Sequence, residues 1–273
     1  MNAVKHRLIA SLLLYNGDVV QTRRFRPTNN VGSAFTAMDF FNGWTVDEIM
    51  VLEISKDESH LARFEEVVEG LSRRCFVPLT VGGKIRDLER VRAYTRAGAD
   101  KIALNTAALE RPALIGEIAE QFGRQCVVVS IDARRNSAMA SGYEAVGGNG
   151  RVPSGRDARA WAEEAAELGA GEILLNELEH DGDKRGYDLE LVRMVSGAVA
   201  VPVIAFGGVA NWDHLVEGIR QGHADAVAAG NIFHYTEHST KKAKEHMAAA
   251  GLPVRSTTFY KVAMPRQPTY RPF

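Results

Sequence analysis

Short apolar runs alternate with longer amphipathic stretches along the whole chain, and this alternation predicts strands that each lead into a helix. Strands are expected at Leu8 to Leu14, Glu48 to Ile54, Val77 to Val81, Lys101 to Leu104, Val127 to Asp132 and Glu172 to Asn176, then before Gly207 and again before Gly230. The run from Val127 stays largely apolar until its acidic end, as a strand covered on both faces should. Helical patterns start near Ser33, run through FEEVVEGLSRR, and span Asp87 to Ala97 with Leu88, Val91 and Tyr94 on one face. Further helices are expected from Pro112 to Phe122, from about Asp157 to Leu168, after Asp188, and from Asn211 to near Gly222. Gly230 and Asn231 open a short helical turn.

The pattern repeats. Val77 to Thr106 matches Val201 to Phe233 without a gap from Val77/Val201 through Gly83/Gly207 to Gly98/Gly222. After one inserted residue Asp100 meets Asp225 and Asn105 meets Gly230, and DEIMVLE with Glu48 falls opposite GEILLNE with Glu172. A half carrying four strands and used twice gives eight βα units, and the fold class expected is an α/β (β/α)₈ barrel built from two repeated half-barrels. Two polar stretches are too long for ordinary βα corners. The one from Asn16 through Arg23, Arg24, Arg26 and Pro27 is expected to be a lid loop, and SAMASGYEAVGGNGRVPSG a hairpin-like excursion over the top of the barrel.

A chain of 273 residues with 45% hydrophobic composition fits one such barrel, placed at residues 1–255, with 256–273 as an extension. A net charge of −1 with interspersed signs argues against nucleic acid or a membrane surface as partner. Cys75 and Cys126 form neither a CxxC pair nor a disulfide framework, so the expected compartment is the cytoplasm. The apolar run near the amino terminus is short, lacks a cleavage pattern and is needed as the first strand, which argues against a signal peptide. No apolar run approaches the roughly 20 residues of a spanning helix. No metal or cofactor is called for.

In a barrel of this kind chemistry sits at the carboxyl ends of the strands. Asp132 ends an apolar run there and is the leading candidate for a general acid or base, since partial burial raises a carboxyl pKa toward neutrality. Asn105, Asn176, Glu177 and Asp181 end or follow other strands. The glycine corners Gly82-Gly83-Lys84, Gly182, Gly207-Gly208 and Gly230-Asn231 leave backbone N–H groups bare beside helix starts, which suits phosphate. At the opposite end Arg7, Glu48, Lys101 and Glu172 each begin a strand. Two cations and two anions there can close a neutral ring, read either as a structural ion-pair cluster or as an entrance for a small neutral molecule.

VGGKIRD, GADKIALNTAALERP, FGRQCVVVSIDARR, LGAGEILLNELEHDGDKRGYD and VIAFGGVANWDH together resemble the cyclase subunit of imidazole glycerol phosphate synthase, over Arg7 to about Val254. The resemblance implies a barrel that binds two phosphates of one elongated ligand and takes ammonia through its floor from a glutaminase. It further implies that Arg7, Glu48, Lys101 and Glu172 form a charged gate, that Asp100 lies where the glutaminase docks, and that Asp132 is one of two catalytic aspartates. The other aspartate is absent: SLLLYNG puts Leu13 in its place. Gln21 stands for a lysine of the first loop, Lys84 for a third glycine, Ala103 for a serine, and Asn176-Glu177 for a Thr-Ser pair. With its floor retained and its mouth rewritten, the chain is similar to divergent cyclase-like relatives of surface-polysaccharide pathways. That similarity implies a complex in which a glutaminase and an ATP-dependent amidotransferase are partners and the ligand is a phosphorylated small molecule or sugar nucleotide. Small or apolar residues are expected to line the passage, with Ala103, Val129 and Ala205 suited to it if they face inward.

Overall fold

The structure is a computed structural model that describes residues 4–43, 45–235 and 238–256. In chain order its strands are β1 (Arg7–Tyr15), β2 (Asp18–Arg23), β3 (Arg26–Gly32), β4 (Glu48–Glu53), β5 (Leu79–Gly82), β6 (Lys101–Leu104), β7 (Val127–Arg135), β8 (Tyr143–Gly147), β9 (Val152–Asp157), β10 (Glu172–Glu177), β11 (Val203–Phe206) and β12 (Ala226–Ala229). Among these, β1, β4, β5, β6, β7, β10, β11 and β12 pair in parallel in that order, and β12 returns to β1 through Arg7↔Ala226. The sheet therefore closes into the (β/α)₈ barrel, with no free edge in the ring.

Helices α1 (Ala34–Gly43), α2 (Leu61–Ser72), α3 (Leu88–Arg96), α4 (Thr106–Glu110), α5 (Ala113–Phe122), α6 (Ala158–Leu168), α7 (Leu189–Ser196), α8 (Trp212–Arg220) and α9 (Ser239–Ala249) connect the strands. Local chemistry fixes where several of them start. Asp87, Asp157, Asp188 and Asn211 each cap a helix by accepting a backbone N–H two or three residues on, a device worth about 1 kcal/mol per helix. The first strand shows how alternation divides the core. Leu8, Ala10, Leu12 and Leu14 pack outward against the helices, while Ile9 and Leu13 join a separate cluster inside the barrel. That inner cluster includes Met50, Ala103, Val128, Leu174, Ile204 and Phe206, so the barrel is filled rather than hollow.

Three features differ from the sequence expectation. The stretch expected as a lid loop is a β-hairpin: β2 extends β1 antiparallel through Leu13↔Val20 and Leu14↔Val19, and β3 folds back on β2. Its tip places Arg24 and Phe25 both at φ 54, left-handed positions usually given to Asn-Gly, so the turn carried no ordinary turn signal. The second long stretch is a hairpin as expected, with β8 running antiparallel to β7 and β9 to β8. Helix α4 was not anticipated, because five residues are too short to show periodicity. Finally, Val129 and Ala205 face the outer helices, and only Ala103 of the three expected lining residues lies inside. The extension expected at 256–273 lies outside the described residues beyond position 256.

Candidate active site at the barrel mouth, with an ion-pair ring at its floor

At the floor, the four charged strand starts converge. Arg7 Nη1 lies 2.8 Å from Glu48 Oε2 and 2.8 Å from Glu172 Oε1, and Lys101 Nζ lies 3.0 Å from both acids. Register explains the convergence: Glu48 sits beside Ile9, Lys101 beside Thr80 and Glu172 beside Val128, at the amino ends of strands wound around one axis. Thr80 Oγ1 donates a further hydrogen bond to Glu48 at 2.8 Å. Each cation bridges both carboxylates, so the ring is shut, and passage of any molecule requires one pair to open. Asp100 is exposed at the same end and accepts the Leu79 N–H at 2.8 Å. Asp225 does the same for Val203 at 2.9 Å and Asp47 for Leu8 at 2.9 Å, so Asp100 also has a strand-holding job.

At the mouth, Asp132 ends the inward face of β7 and is 5% exposed. Burial, partly offset by the hydrogen bond from Asn176 and reinforced by nearby Asp181, pushes its carboxyl up to about 7. Asn105 Nδ2 donates to Asp132 Oδ2 at 3.1 Å and Asn176 Nδ2 to Oδ1 at 3.4 Å. Asn105 also reaches the carbonyls of Ser130 and Val146, so it ties β6, β7 and β8 together beneath the site. A carboxyl poised near neutrality and oriented by two amides is fit to take up and release a proton. It opens into a cavity of about 740 Å³ whose wall includes Glu53, Gly83, Lys84, Asn105 and Thr106.

The glycine corners fall where expected, at the strand ends around this mouth. Gly83 has φ 103, and a Cβ there would lie 2.3 Å from the Glu53 carbonyl. At Gly207 (φ 92) a Cβ would lie 2.3 Å from Asn176 Oδ1, so both glycines answer a close approach as well as a turn. Lys84 holds a left-handed φ of 57 and donates from Nζ to the Ser55 carbonyl at 2.6 Å. Gly182, Gly207, Gly208, Gly230 and Asn231 surround a second, smaller cavity of about 100 Å³, with Leu13 and Asp181 in its wall. The Asn231 side chain is committed to the Thr22 backbone, donating at 2.9 Å and accepting at 3.3 Å. Asp181 is likewise an anchor: its Oδ2 accepts from Thr22 Oγ1 at 2.9 Å and Phe25 N at 2.8 Å, which clamps the β2–β3 hairpin over the mouth. These two side chains hold the cover and also line the smaller cavity.

Two buried acids add to this mouth. Glu177 keeps Oε1 without a hydrogen-bond partner, and its Oε2 accepts the His180 N–H at 2.9 Å. Glu53, which the sequence reading passed over, ends β4 on the face it shares with Ile49 and Val51, turned toward the helices, and reaches the rim of the Asp132 cavity. Its Oε1 accepts from Ser55 N at 2.7 Å, its Oε2 has no partner, and burial raises its pKa. Glu177, His180 and Asp188 each offer one atom within 4.8 Å of the others, the spacing of a metal site. Asp188 is already spent on Arg135 at 2.9 Å, Tyr143 Oη at 2.8 Å and the Leu191 N–H at 3.1 Å, so a cation would compete with a guanidinium.

Residues 7–239 match the histidine biosynthesis protein family. The chain belongs to that family. The match runs from the first residue of the floor ring through every mouth residue named above, and it agrees with the closed eight-stranded barrel. Within this family member, Leu13 is 4% exposed and packs in the inner cluster, a hydrocarbon at the end of the strand beside β4. No helix among its described residues is long and apolar enough to cross a membrane.

Proposed function

We propose that the chain is the cyclase-like, ammonia-accepting subunit of a glutamine amidotransferase complex, serving amidination of a phosphorylated or sugar-nucleotide acceptor in surface-polysaccharide biosynthesis. The observation that carries the reading is the ring of Arg7, Glu48, Lys101 and Glu172, a balanced set of charges closing one end of a barrel whose other end holds Asp132. A ring of equal and opposite charges offers ammonium no net attraction to offset the loss of its hydration, a cost that neutral ammonia largely escapes. Asp100, exposed beside the ring, belongs to the face on which the glutaminase docks. At the mouth, the two glycine corners offer anion sites for the acceptor, and Asp132 takes the proton that leaves nitrogen as ammonia adds to an acceptor carbon whose oxygen, phosphorylated from ATP by the amidotransferase, departs as phosphate.

The second reading is the histidine-pathway cyclase itself, and membership of the family favours it. Leu13 speaks against it. A hydrocarbon neither donates nor accepts a proton, and a positioned proton-transfer group contributes roughly 10²-fold or more. The purified chain should therefore turn over the histidine-pathway cyclase substrate with ammonium salt at least ~10²-fold more slowly than an enzyme with both acids. It should also fail to support growth of a cyclase-deleted histidine auxotroph. Ordinary turnover and full complementation would return the assignment to histidine synthesis.

A further inference from the structure

Above the Asp132 cavity, between the two hairpin tips, lies a separate cavity of about 490 Å³ whose lining carries five arginines, Arg23, Arg24, Arg26, Arg134 and Arg151, against one acid, Glu179. Such a concentration of one sign is unlike the rest of a chain whose net charge is −1. From it we propose a diphosphate-binding site on the barrel lip, distinct from the glycine corners. It deepens the proposed function, naming the chemistry of the acceptor, and rests on the mouth being the acceptor's site.

The construction of the lip supports the assignment. Arg24 and Phe25 occupy consecutive left-handed positions, which bulky side chains adopt only when the surroundings hold them there. The surroundings do so: Asp181 accepts Phe25 N–H on its carboxylate, and its carbonyl accepts Arg24 N–H at 3.0 Å. The effect is to bury Phe25 as a plug while Arg23, Arg24 and Arg26 stay exposed around it. Across the cavity, a turn with Gly148, Asn149 and Gly150 all at positive φ presents Arg151, and Asn149 Nδ2 ties that turn to the Ile54 carbonyl at 3.0 Å. Both walls are thus fixed to the barrel rim by buried hydrogen bonds.

Charge accounting then sets the ligand. Arg23 and Arg24 share Asp183, and Arg134 pairs with Glu144 at 3.2 Å. Arg26 and Arg151 form no ion pair among the described residues and stand on opposite walls. Two uncompensated guanidiniums, with shared ones beside them, match a ligand of two or more negative charges spread over two phosphoryl groups. A single phosphate would leave one wall unmet, and an extended nucleic acid would need a stripe rather than a closed pocket. Phe25, Asn149 and Arg151 line this cavity and the Asp132 cavity alike, so one ligand can rest its diphosphate on the lip and its reacting carbon near Asp132.

Calorimetric titration of the full chain with inorganic pyrophosphate, orthophosphate and UDP at low ionic strength tests this. Pyrophosphate should bind, and Arg26→Gln/Arg151→Gln should weaken it at least tenfold without changing orthophosphate binding. The control Arg73→Gln/Arg96→Gln, with the same loss of charge on outer helices, should leave pyrophosphate binding as it was. UDP binding more tightly than pyrophosphate assigns the diphosphate to a nucleotide; equal affinities assign it to a diphosphate carried otherwise. No pyrophosphate binding, equal binding in the lip variant, or equal loss in the control overturns the site. None of these readouts requires a glutaminase, so their failure is separate from failure of ammonia transfer.

Discussion

The two ends of this barrel bury acids in opposite ways. At the floor, Glu48 and Glu172 meet Arg7 and Lys101 in alternation, and Asp47, 3% exposed, meets Lys244 at 2.8 Å. At the mouth, Asp132, Glu53 and Glu177 are equally buried but have no ion-pair partner among the described residues. A buried carboxylate must either find a cation or hold on to its proton. The floor takes the first course and so remains charged and closed. Three acids of the mouth take the second, with pKa values raised because burial outweighs their hydrogen bonds, while Glu144 and Asp188 beside them keep Arg134 and Arg135. The difference separates an end that holds its charges in pairs from an end where three acids are held without a cation.

The largest break in this contrast is to make the floor resemble the mouth. Lys244→Met leaves buried Asp47 only the exposed Arg255, at 3.9 Å, as a cation, and unfolding in urea should show a loss of up to about 3–5 kcal/mol. A loss below about 1 kcal/mol would mean that Asp47 finds water or another partner. The converse change makes the mouth resemble a neutral core. In native protein Asp132 keeps, between about pH 4 and 7, a proton that the unfolded chain has released, since its pKa rises from 3.8 to about 7. The native state then binds more protons than the unfolded state, and stability falls as pH rises through that window and stays low above it. Asp132→Asn should abolish that fall and be more stable than wild type above pH 7 by a few kcal/mol, at about 1.4 kcal/mol per pKa unit. Parallel melting curves from pH 4 to 8 check it, and identical pH slopes would place the titration elsewhere.

Smaller effects sharpen the same comparison. Glu177 retains a hydrogen bond from His180, so its penalty is partial. Glu177→Gln should raise stability at pH 8 and leave it unchanged near pH 3, where the acid is neutral in both states. A stabilisation equal at both pH values would show a packing effect instead. On the outer surface neither logic applies. Arg73 and Glu69 pair across one helical turn at 74% and 54% exposure, and Arg73→Ala should change stability by no more than about 0.5 kcal/mol.

How much of this was legible in the sequence differs between the two ends. The floor ring was, because a charged residue at the start of an apolar run has only the strand's amino end to occupy, and four such residues in a closed barrel must meet. The phase of alternation was legible too but was not used. Lys101 facing inward puts Ala103 inside, and Asp132 facing inward requires Val128 rather than Val129, as the inner cluster shows. The first hairpin was hidden because Arg24-Phe25 lacks the glycine or asparagine of such turns, and its conformation is imposed by Asp181 from more than 150 residues away. That long-range clamp also gives Asp181 and Asn231 a supporting job beside the cavity they line. Glu53 could have been found as an acid closing the apolar run IMVLE, although alternation from Glu48 puts it on the opposite face from Asp132.

The claim that joins the two ends is transfer of ammonia from floor to mouth, and Lys101→Ala tests it most directly. The measurement is product formed per glutamine consumed, beside product formed from added ammonium salt, in the complex reconstituted with its glutaminase and amidotransferase. The account predicts that the variant still supports glutamine hydrolysis, loses at least tenfold in product per glutamine, and keeps its ammonium-driven rate, since a ring that no longer closes lets ammonia escape to water while the chemistry at the mouth is untouched. An unchanged ratio in a well-folded variant, or equal loss with both nitrogen sources and a lowered melting temperature, would contradict it and leave the ring as a structural clasp.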